Sequence, residues 1–196
     1  AVYETLQVMN TLQPGLCVLG TRLPGCFNVF EMSVRAVLGQ QITVKAASTL
    51  AARLVAVYGT QVQTGIEGLT HSFPAPAAIL ALGENISEHL GKLGIISARA
   101  NTIYQLARVL ADEKNDFGFC GNPEEEMQKL QAIRGIGSWT AQYIAMRAMG
   151  WPDAFLPTDA GIKKALPDHT PKELQVLSEA WRPWRSYATV NLWNTL

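Results

Sequence analysis

The stretch LQAIRGIGSWTAQYIAMRAMG, Leu130 to Gly150, decides how this chain folds. Two helical segments meet at Gly135 and Gly137, which enclose a turn too short for ordinary side chains. Glycines there let the backbone amides face outward, and amides at a helix N-terminus form an anion site. We therefore expect a phosphate to bind at the two glycines and the first turn after Ser138. Alternatively, the glycines only close an αα-hairpin.

Helix starts elsewhere in the chain are marked by capping residues. Asn122 and Pro123, followed by three glutamates, combine an N-cap, a residue preset for the first turn, and negative charge at the positive end of the helix dipole. Thr43 is the N-cap expected for a helix that ends at Gly59 and whose inner face includes Val44. These patterns predict a helical protein.

The remaining segments continue this helical pattern. Ser87 is the predicted cap of a short helix, and Ser97 opens another helix. The polar, Gly-rich stretch from Thr60 to Pro76 and the stretch from Lys114 to Asn122 are predicted connections. No convincing strand is found. We therefore predict an all-α bundle of roughly eight to ten helices, as expected from mean helix length.

The composition is that of a folded chain without a bulk charge. The 196 residues are 48% hydrophobic and 16% charged, with 16 Lys and Arg balanced by 16 Asp and Glu. This length suits one domain or two small lobes. With zero net charge, nucleic-acid binding would have to depend on individually placed groups. Apolar stretches fall short of the about 18 residues of a membrane span, so we expect a soluble, intracellular protein.

The cysteines and histidines show no metal-ligand pattern. Cys17, Cys26 and Cys120 are odd in number and widely spaced, which argues against a disulfide framework, a zinc site and an iron-sulfur cluster. The three histidines are equally scattered. We expect no metal bound by side chains and no required cofactor.

Aromatic residues and one aspartate supply the candidate chemistry. Trp139 and Tyr143, four residues apart, share one helix face that Met146 continues; such a stripe suits a cleft wall or a core. Trp193 is one of five tryptophans in the final third of the chain, which suggests an aromatic pocket. Asp159 is most simply an N-cap. A carboxylate fixed there and facing an aromatic cleft can also stabilise developing positive charge or orient a water.

Four blocks, taken in order, resemble the helix-hairpin-helix DNA glycosylases of the HhH-GPD superfamily, and particularly the bacterial 3-methyladenine DNA glycosylase II group. The blocks are LPGCFNVFEMSVRAVLGQQIT (23–43), LQAIRGIGSWTAQYIAMRAMG (130–150), DAFLPTDAGIKKALP (153–167) and WRPWRSYATVNLW (181–193). The resemblance implies that residues 1–196 form one glycosylase domain, two-lobed, with a helix-hairpin-helix motif and a cleft between the lobes. Relatives carry an N-terminal β-rich domain or further repair domains, so we expect a fragment of a longer chain.

The resemblance implies roles for the candidate residues. Asp159 falls on the catalytic aspartate, and Trp139, Tyr143 and Trp193 match the aromatic pocket that holds an extruded base. Trp139 also stands where strand-cleaving relatives carry the lysine that forms a Schiff base. Lys163 and its neighbour follow the aspartate instead, so base excision without a lyase step is expected.

Contacts to DNA are implied in the same way. Gln40 and Gln41 match the region that fills the gap left by a flipped nucleotide, although Gln41 is polar where the compared group has an apolar residue. The alternative is that both glutamines lie in a solvated helix connection. Gly135, Gly137 and Thr140 are expected to anchor phosphate.

The resemblance also implies a structural Na⁺ or K⁺ ion at the hairpin, bound by main-chain carbonyls. In this sequence the carbonyls belong to Gln131, Ile133 and Ile136. Arg134 stands where many relatives have a proline before the first glycine, so the turn lacks a preset φ.

The sequence therefore predicts a monomeric, monofunctional DNA glycosylase that excises alkylated purines of the 3-methyladenine type from duplex DNA. A cationic leaving base needs no general acid, only an anion near the sugar. Two alternatives stay open: a glycosylase for another lesion, such as a deaminated or oxidised base, and a non-catalytic DNA-binding module in which Asp159 is only a cap.

Overall fold

A computed structural model describes residues 1–111 and 122–196, and its regular structure is almost entirely helical. The described ranges contain eleven α-helices. They are α1 (Val2–Leu6), α2 (Val29–Leu38), α3 (Val44–Tyr58), α4 (Pro76–Leu80), α5 (Ile86–Gly91), α6 (Ser97–Leu110), α7 (Pro123–Gln131), α8 (Ser138–Arg147), α9 (Ala160–Ala165), α10 (Pro171–Leu177) and α11 (Arg185–Trp193). The predicted all-α class is confirmed; α1 is additional to the predicted helices.

A small sheet interrupts the stretch that was predicted to be a loop. Strand β1 (Thr60–Gln61) pairs antiparallel with β2 (His71–Ser72), with Thr60 opposite Ser72. The prediction of no strand is therefore wrong over these four residues. They are too few and too polar to show the alternating apolar pattern of a half-buried strand. The predicted connection from Lys114 to Asn122 lies, except for Asn122, outside the described residues.

A side-chain cap marks the start of five of the eleven described helices, α2, α3, α7, α9 and α10. The Thr43 side chain accepts a hydrogen bond from the Ala46 amide at 3.2 Å, and Asn122 Oδ1 accepts one from the Glu124 amide at 3.1 Å. The expectation for Ser87 is wrong, since α5 begins at Ile86 with Asn85 in the N-cap position. A turn of 3₁₀-helix, Gly83–Asn85, precedes α5, and the N-cap lies two residues earlier than predicted.

The helices form two lobes around two hydrophobic cores. The first core lies among α2 to α8, and the second among α1, the segment around Phe155, and α9 to α11. Helix α8 contributes to both, because Ile144 belongs to the first core and Met146 to the second. Val44 was predicted to face inward but is 85% exposed, since the first turn of α3 extends beyond the first core. The two lobes therefore meet along α8.

A buried ion pair fixes the linker that leads from α8 to α9. Arg185 on α11 donates from Nε to Asp153 Oδ1 and from Nη2 to Oδ2, both at 2.8 Å. The Ser186 hydroxyl adds a hydrogen bond to the Trp151 carbonyl at 2.7 Å. Breaking such a buried pair leaves an uncompensated charge, so the linker position depends strongly on α11.

Within the described ranges, no helix combines the length and the apolar character needed to cross a bilayer. The same ranges contain no group of three or more His, Cys, Asp or Glu side chains placed to hold a metal ion. Cys17 and Cys26 are free thiols, and Cys120 lies outside the described residues.

Candidate active site

The turn between α7 and α8 is held in place by Thr102 of α6. Gly135 has φ +96°, a value that favours glycine, and a Cβ there would collide with the Thr102 side chain. The Thr102 hydroxyl also donates to the Arg134 carbonyl at 3.0 Å. Gly137 is different, because a Cβ on it would meet no atom of the described residues within 4 Å. The two glycines therefore serve different purposes: Gly135 permits the turn, and Gly137 leaves its outer side open.

The N-terminus of α8 offers free backbone amides to this open side. Gly137 is the N-cap residue, and no side chain among the described residues caps the helix. The amides of Ser138, Trp139 and Thr140 occupy the first turn, where no intrahelical carbonyl is available. The Thr140 hydroxyl is buried and accepts a hydrogen bond from Gln40 Nε2 at 2.9 Å. The backbone amide of Thr140, in the first turn of α8, is therefore available to an anion.

The two glutamines of the turn between α2 and α3 point in different directions. Gln40 Nε2 donates to the Gly135 carbonyl at 2.9 Å as well as to Thr140, and Arg99 donates to the Gln40 carbonyl. Gln41 is exposed and has φ +54°. Gln40 thus ties the turn to the hairpin, and Gln41 is the side chain that projects from it.

Asp159 is a helix cap and also a neighbour of two indoles. Its Oδ1 accepts hydrogen bonds from the backbone amides of Gly161 and Ile162, at 2.8 and 3.1 Å, which caps α9. The same oxygen accepts from Trp193 Nε1 at 2.8 Å, and Oδ2 accepts from Trp139 Nε1 at 3.0 Å. Asp159 therefore caps α9 and also lies beside an aromatic cleft, the two positions that the sequence left as alternatives.

The three aromatic candidates lie together beside this carboxylate. Trp139 and Tyr143 are stacked with centroids 5.2 Å apart and an interplanar angle of 7°. Trp193 reaches them from α11, its centroid 6.2 Å from that of Tyr143. The approach of Trp193 depends on Gly161, because a Cβ there would lie 2.8 Å from Trp193 Cδ1.

Arg147 extends the aromatic column and was missed by sequence reasoning. Its Nη1 donates to the Tyr143 hydroxyl at 3.2 Å, and its Cζ lies 5.7 Å from the Tyr143 ring centroid. Met146, predicted to continue this helix face, is fully buried in the second core. Trp139 and Tyr143 are four residues apart, and one further step of four predicts Arg147 on the same helix face.

A cysteine lies close to this arginine. Burial raises the pKa of the Cys26 thiol, while a hydrogen bond from the Asn28 backbone and the positive charge of Arg147 act in the opposite direction. Cys26 packs against the first core. Its thiol therefore behaves as a small, partly buried apolar group beside the arginine.

One groove of about 2360 Å³ lies between the lobes. It is lined by Asp159, by the three aromatic candidates, by Arg147, by the two glutamines and by the hairpin residues Gly135, Gly137 and Thr140. Its charged lining residues among the described ones are Arg35, Arg99, Lys129, Arg134, Arg147 and Asp159. Arg35 and Lys129 are paired with Glu31 and Glu126. The groove is thus positive although the chain is neutral, and clustered positive charge of this kind attracts a polyanion.

The end of α7 presents backbone carbonyls on the other side of the hairpin. The Ile133 carbonyl accepts from the Ile136 amide at 3.0 Å, which leaves one of its two lone pairs free. Within the described residues, the carbonyl of Gln131 receives no backbone hydrogen bond from outside α7, and that of Ile136, in the turn, accepts none of the backbone hydrogen bonds outside the helices. Carbonyl oxygens of this kind suit a hard cation, so the three residues fit the expected ion.

Comparison with known proteins gives one family. Residues 34–185 match the model described as HhH-GPD superfamily base excision DNA repair protein. DNA-3-methyladenine glycosylase 2 of Escherichia coli is 38% identical over 176 residues, which are 90% of this chain and 61% of that protein. A Mycobacterium tuberculosis protein named "Probable bifunctional transcriptional activator/DNA repair enzyme AlkA" is 42% identical over 182 residues, or 35% of its length. The chain therefore spans less than two thirds of these relatives.

Solved structures share the fold. A 3-methyladenine DNA glycosylase from Archaeoglobus fulgidus superposes with a TM-score of 0.75 at 25% identity, over 97% of this chain and 64% of that one. A Schizosaccharomyces pombe 3-methyladenine DNA glycosylase, solved in complex with abasic DNA, gives 0.71 at 20% identity, over 98% and 89%. Because the sequence identity to the Schizosaccharomyces pombe enzyme is only 20%, that comparison supports the shared fold alone.

Proposed function

This chain belongs to the HhH-GPD superfamily of base excision DNA repair proteins, and from that membership we propose that it is a monofunctional DNA glycosylase for alkylated purines in duplex DNA. One observation carries the proposal: the Asp159 carboxylate is held between the indole N–H groups of Trp139 and Trp193 at the edge of a positive groove. A cap alone requires no such partners. The 38% identity to a 3-methyladenine glycosylase supports the substrate class.

The aromatic residues explain how a damaged base is selected. A purine alkylated on a ring nitrogen is cationic, and cation–π attraction to an aromatic face contributes about 0.5 to 2 kcal/mol. Trp139, Tyr143 and Trp193 provide such faces beside Asp159. Flipping the nucleotide out of the duplex costs a few kcal/mol and is easiest for a damaged base.

The chemical step needs little beyond one anion. The bond between C1′ and the base nitrogen breaks, its electron pair leaves with the already cationic base, and positive charge develops on the sugar. Asp159 stabilises that charge, and its Oδ2, which accepts one hydrogen bond compared with three at Oδ1, retains capacity to orient a water. The water adds to C1′ and loses a proton, which yields the abasic site and the free base.

DNA contacts are assigned to backbone amides and to the positively charged side chains of the groove. The amides at Gly137 and the first turn of α8 bind a phosphate, supported by their orientation at an uncapped helix N-terminus. Gln41 fills the gap left by the flipped nucleotide, supported by its exposed position beside the hairpin. The protein acts on double-stranded DNA as a monomer.

A structural Na⁺ or K⁺ ion is assigned to the carbonyls of Gln131, Ile133 and Ile136. When bound, it would join the hairpin to a DNA phosphate by charge. The excision step requires no cofactor. A lyase step is excluded from the proposal because Trp139, which has no nucleophilic amine, occupies the position of the Schiff-base lysine.

Release of free base tests the proposal. Methylated duplex DNA is incubated with the folded chain, and liberated 3-methyladenine is measured by chromatography. We expect release without strand cleavage, and no covalent adduct after borohydride reduction. A folded chain that binds DNA but liberates no base would favour the DNA-binding module, and a trapped adduct would contradict the absence of a lyase step.

A further inference from the structure

The turn between α2 and α3 contains a backbone conformation that needs support. Gln41 has φ +54°, and among residues 1–111 and 122–196 it is the only residue other than glycine with a positive φ. Residues with a side chain rarely adopt this left-handed region, and they remain in it only where the surrounding structure holds them. Gln41 itself is exposed, so the support has to come from its neighbours in the turn.

Gln40, the residue before Gln41, is fixed to three parts of the structure. Its side-chain Nε2 donates to the Gly135 carbonyl in the hairpin turn and to the Thr140 hydroxyl on α8, each at 2.9 Å. Its backbone carbonyl accepts a hydrogen bond from Arg99 on α6. A glutamine amide has two N–H donors. Both are used within the protein, and neither is left to bind DNA.

The hydrogen bond from Arg99 acts directly on the conformation of Gln41. The Gln40 carbonyl and the Gln41 amide nitrogen belong to one planar peptide unit, so holding the carbonyl also fixes the direction in which the backbone enters Gln41. The hydrogen bonds of the Gln40 side chain hold the other end of the same residue. Together these contacts set the φ of Gln41 and the direction in which its side chain projects.

The side-chain hydrogen bonds of Gln40 also join this turn to the hairpin. Gly135 and Thr140 lie 95 and 100 residues beyond Gln40 in the sequence. The Thr140 side chain is buried, and a hydrogen bond in such surroundings is stronger than one in water. The backbone amide of Thr140 lies in the first turn of α8, which is proposed to bind phosphate. A phosphate held at the hairpin is thus linked through Gln40 to the side chain that is proposed to enter the duplex.

We propose that Gln40 is a positioning residue that couples the phosphate-binding hairpin to Gln41 and holds Gln41 in the conformation that fills the gap left by a flipped nucleotide. This inference rests on the proposed function. Gln40 acts through Gln41 and does not itself enter the duplex. When the hairpin docks on the DNA backbone, the position of Gln41 relative to the duplex is then already set.

Filling of the gap can be measured without any excision. The probe is a duplex that carries a tetrahydrofuran abasic site with the fluorescent base analogue 2-aminopurine beside it, at protein concentrations that saturate the DNA. A side chain that enters the gap changes the stacking of 2-aminopurine and therefore its fluorescence. We expect Gln40→Ala to lose most of the change that wild type gives, as Gln41→Ala does. Gln128→Ala, at an exposed position on α7, is the control and should give the full change.

A second variant removes the same contact from the other side. Thr140→Val deletes the hydroxyl that accepts from Gln40 but keeps the backbone amide of the first helical turn, so it should lose part of the fluorescence change. It carries the test if Gln40→Ala does not fold, which circular dichroism establishes. In that case, a full fluorescence change in Thr140→Val overturns the inference.

Single-turnover excision gives an independent measurement. In Gln40→Ala, the ratio between the excision rates of the same lesion in paired and in mismatched DNA should fall about tenfold, and the addition of Gln41→Ala should lower it no further. A residue that only stabilises the fold would lower both rates by the same factor.

The outcomes separate this inference from the proposed function. If Gln40→Ala retains the fluorescence change that Gln41→Ala loses, Gln40 only packs the turn and the inference is wrong. It is equally wrong if Gln41→Ala retains the change, because Gln41 then does not fill the gap. If wild type releases no base but the fluorescence results are as expected, the proposed excision fails and the coupling through Gln40 is supported.

Discussion

Gly161 and Trp193 are in contact so close that no side chain fits between them. A Cβ on Gly161 would lie 2.8 Å from Trp193 Cδ1, 2.9 Å from its Nε1 and 3.0 Å from Asp159 Oδ1. This contact joins α9 to α11 and allows the indole to reach the carboxylate. The alignment of the proposed catalytic group thus depends on the absence of a single methyl group.

Gly161→Ala should therefore impair excision without unfolding the protein. The methyl group displaces Trp193 and lengthens its hydrogen bond to Asp159, which should reduce single-turnover excision about tenfold or more. Alanine is the better helix former by about 1 kcal/mol, so a loss of α9 is not expected. Gly91→Ala is the matched control, because Gly91 also lies in a helix and a Cβ there meets no atom of residues 1–111 and 122–196 within 4 Å. Equal activity of the two variants would contradict the role given to the contact.

The two hairpin glycines should respond differently to alanine. In Gly135→Ala, the alanine has to adopt a left-handed φ and its methyl group collides with the Thr102 side chain. The free energy of unfolding should therefore fall by at least about 1 kcal/mol. Gly137→Ala meets no steric obstacle within the described residues and should stay folded, but its methyl group lies at the proposed phosphate contact and should weaken DNA binding. Chemical denaturation and DNA-binding titrations measure the two effects. Similar stability losses in both variants would show that the division of roles is wrong.

Gln41→Ala tests the side chain that is proposed to fill the gap left in the duplex by the flipped nucleotide. Removing it should slow excision of a lesion in paired DNA, where flipping costs a few kcal/mol, more than excision of the same lesion in a mismatch. Gln63→Ala, at an exposed position remote in sequence from the groove residues, serves as control. If the paired and mismatched substrates lose activity equally, Gln41 does not support flipping.

Much of the fold follows from local signals. Asn122, Thr43 and Asp159 each mark a helix start, and each is observed as an N-cap, because capping depends on atoms within three residues. Strands β1 and β2 escape prediction because two polar residues carry no period. Asn85 replaces Ser87 as the N-cap of α5 because a 3₁₀ turn ends at Asn85.

Other features of the site arise from contacts between distant segments. The bond from Gln40 to Thr140 joins residues 100 positions apart, and that from Trp193 to Asp159 spans 34. No periodic pattern in the sequence predicts contacts between residues so far apart in the chain. The resemblance placed these residues in one site, but it did not separate the structural Gln40 from the exposed Gln41. Arg147 was overlooked because the helix face was continued at a spacing of three residues instead of four.

The most direct test of the central claim compares Asp159→Asn with Asp168→Asn, a change at an exposed aspartate beyond α9. Asparagine at 159 can still accept hydrogen bonds from α9, so DNA binding should be retained. Single-turnover release of 3-methyladenine from methylated duplex DNA should fall at least about 100-fold, or about 2.7 kcal/mol in the barrier, in the first variant and stay at the wild-type rate in the second. Release by Asp159→Asn at the wild-type rate would show that this carboxylate is only a helix cap.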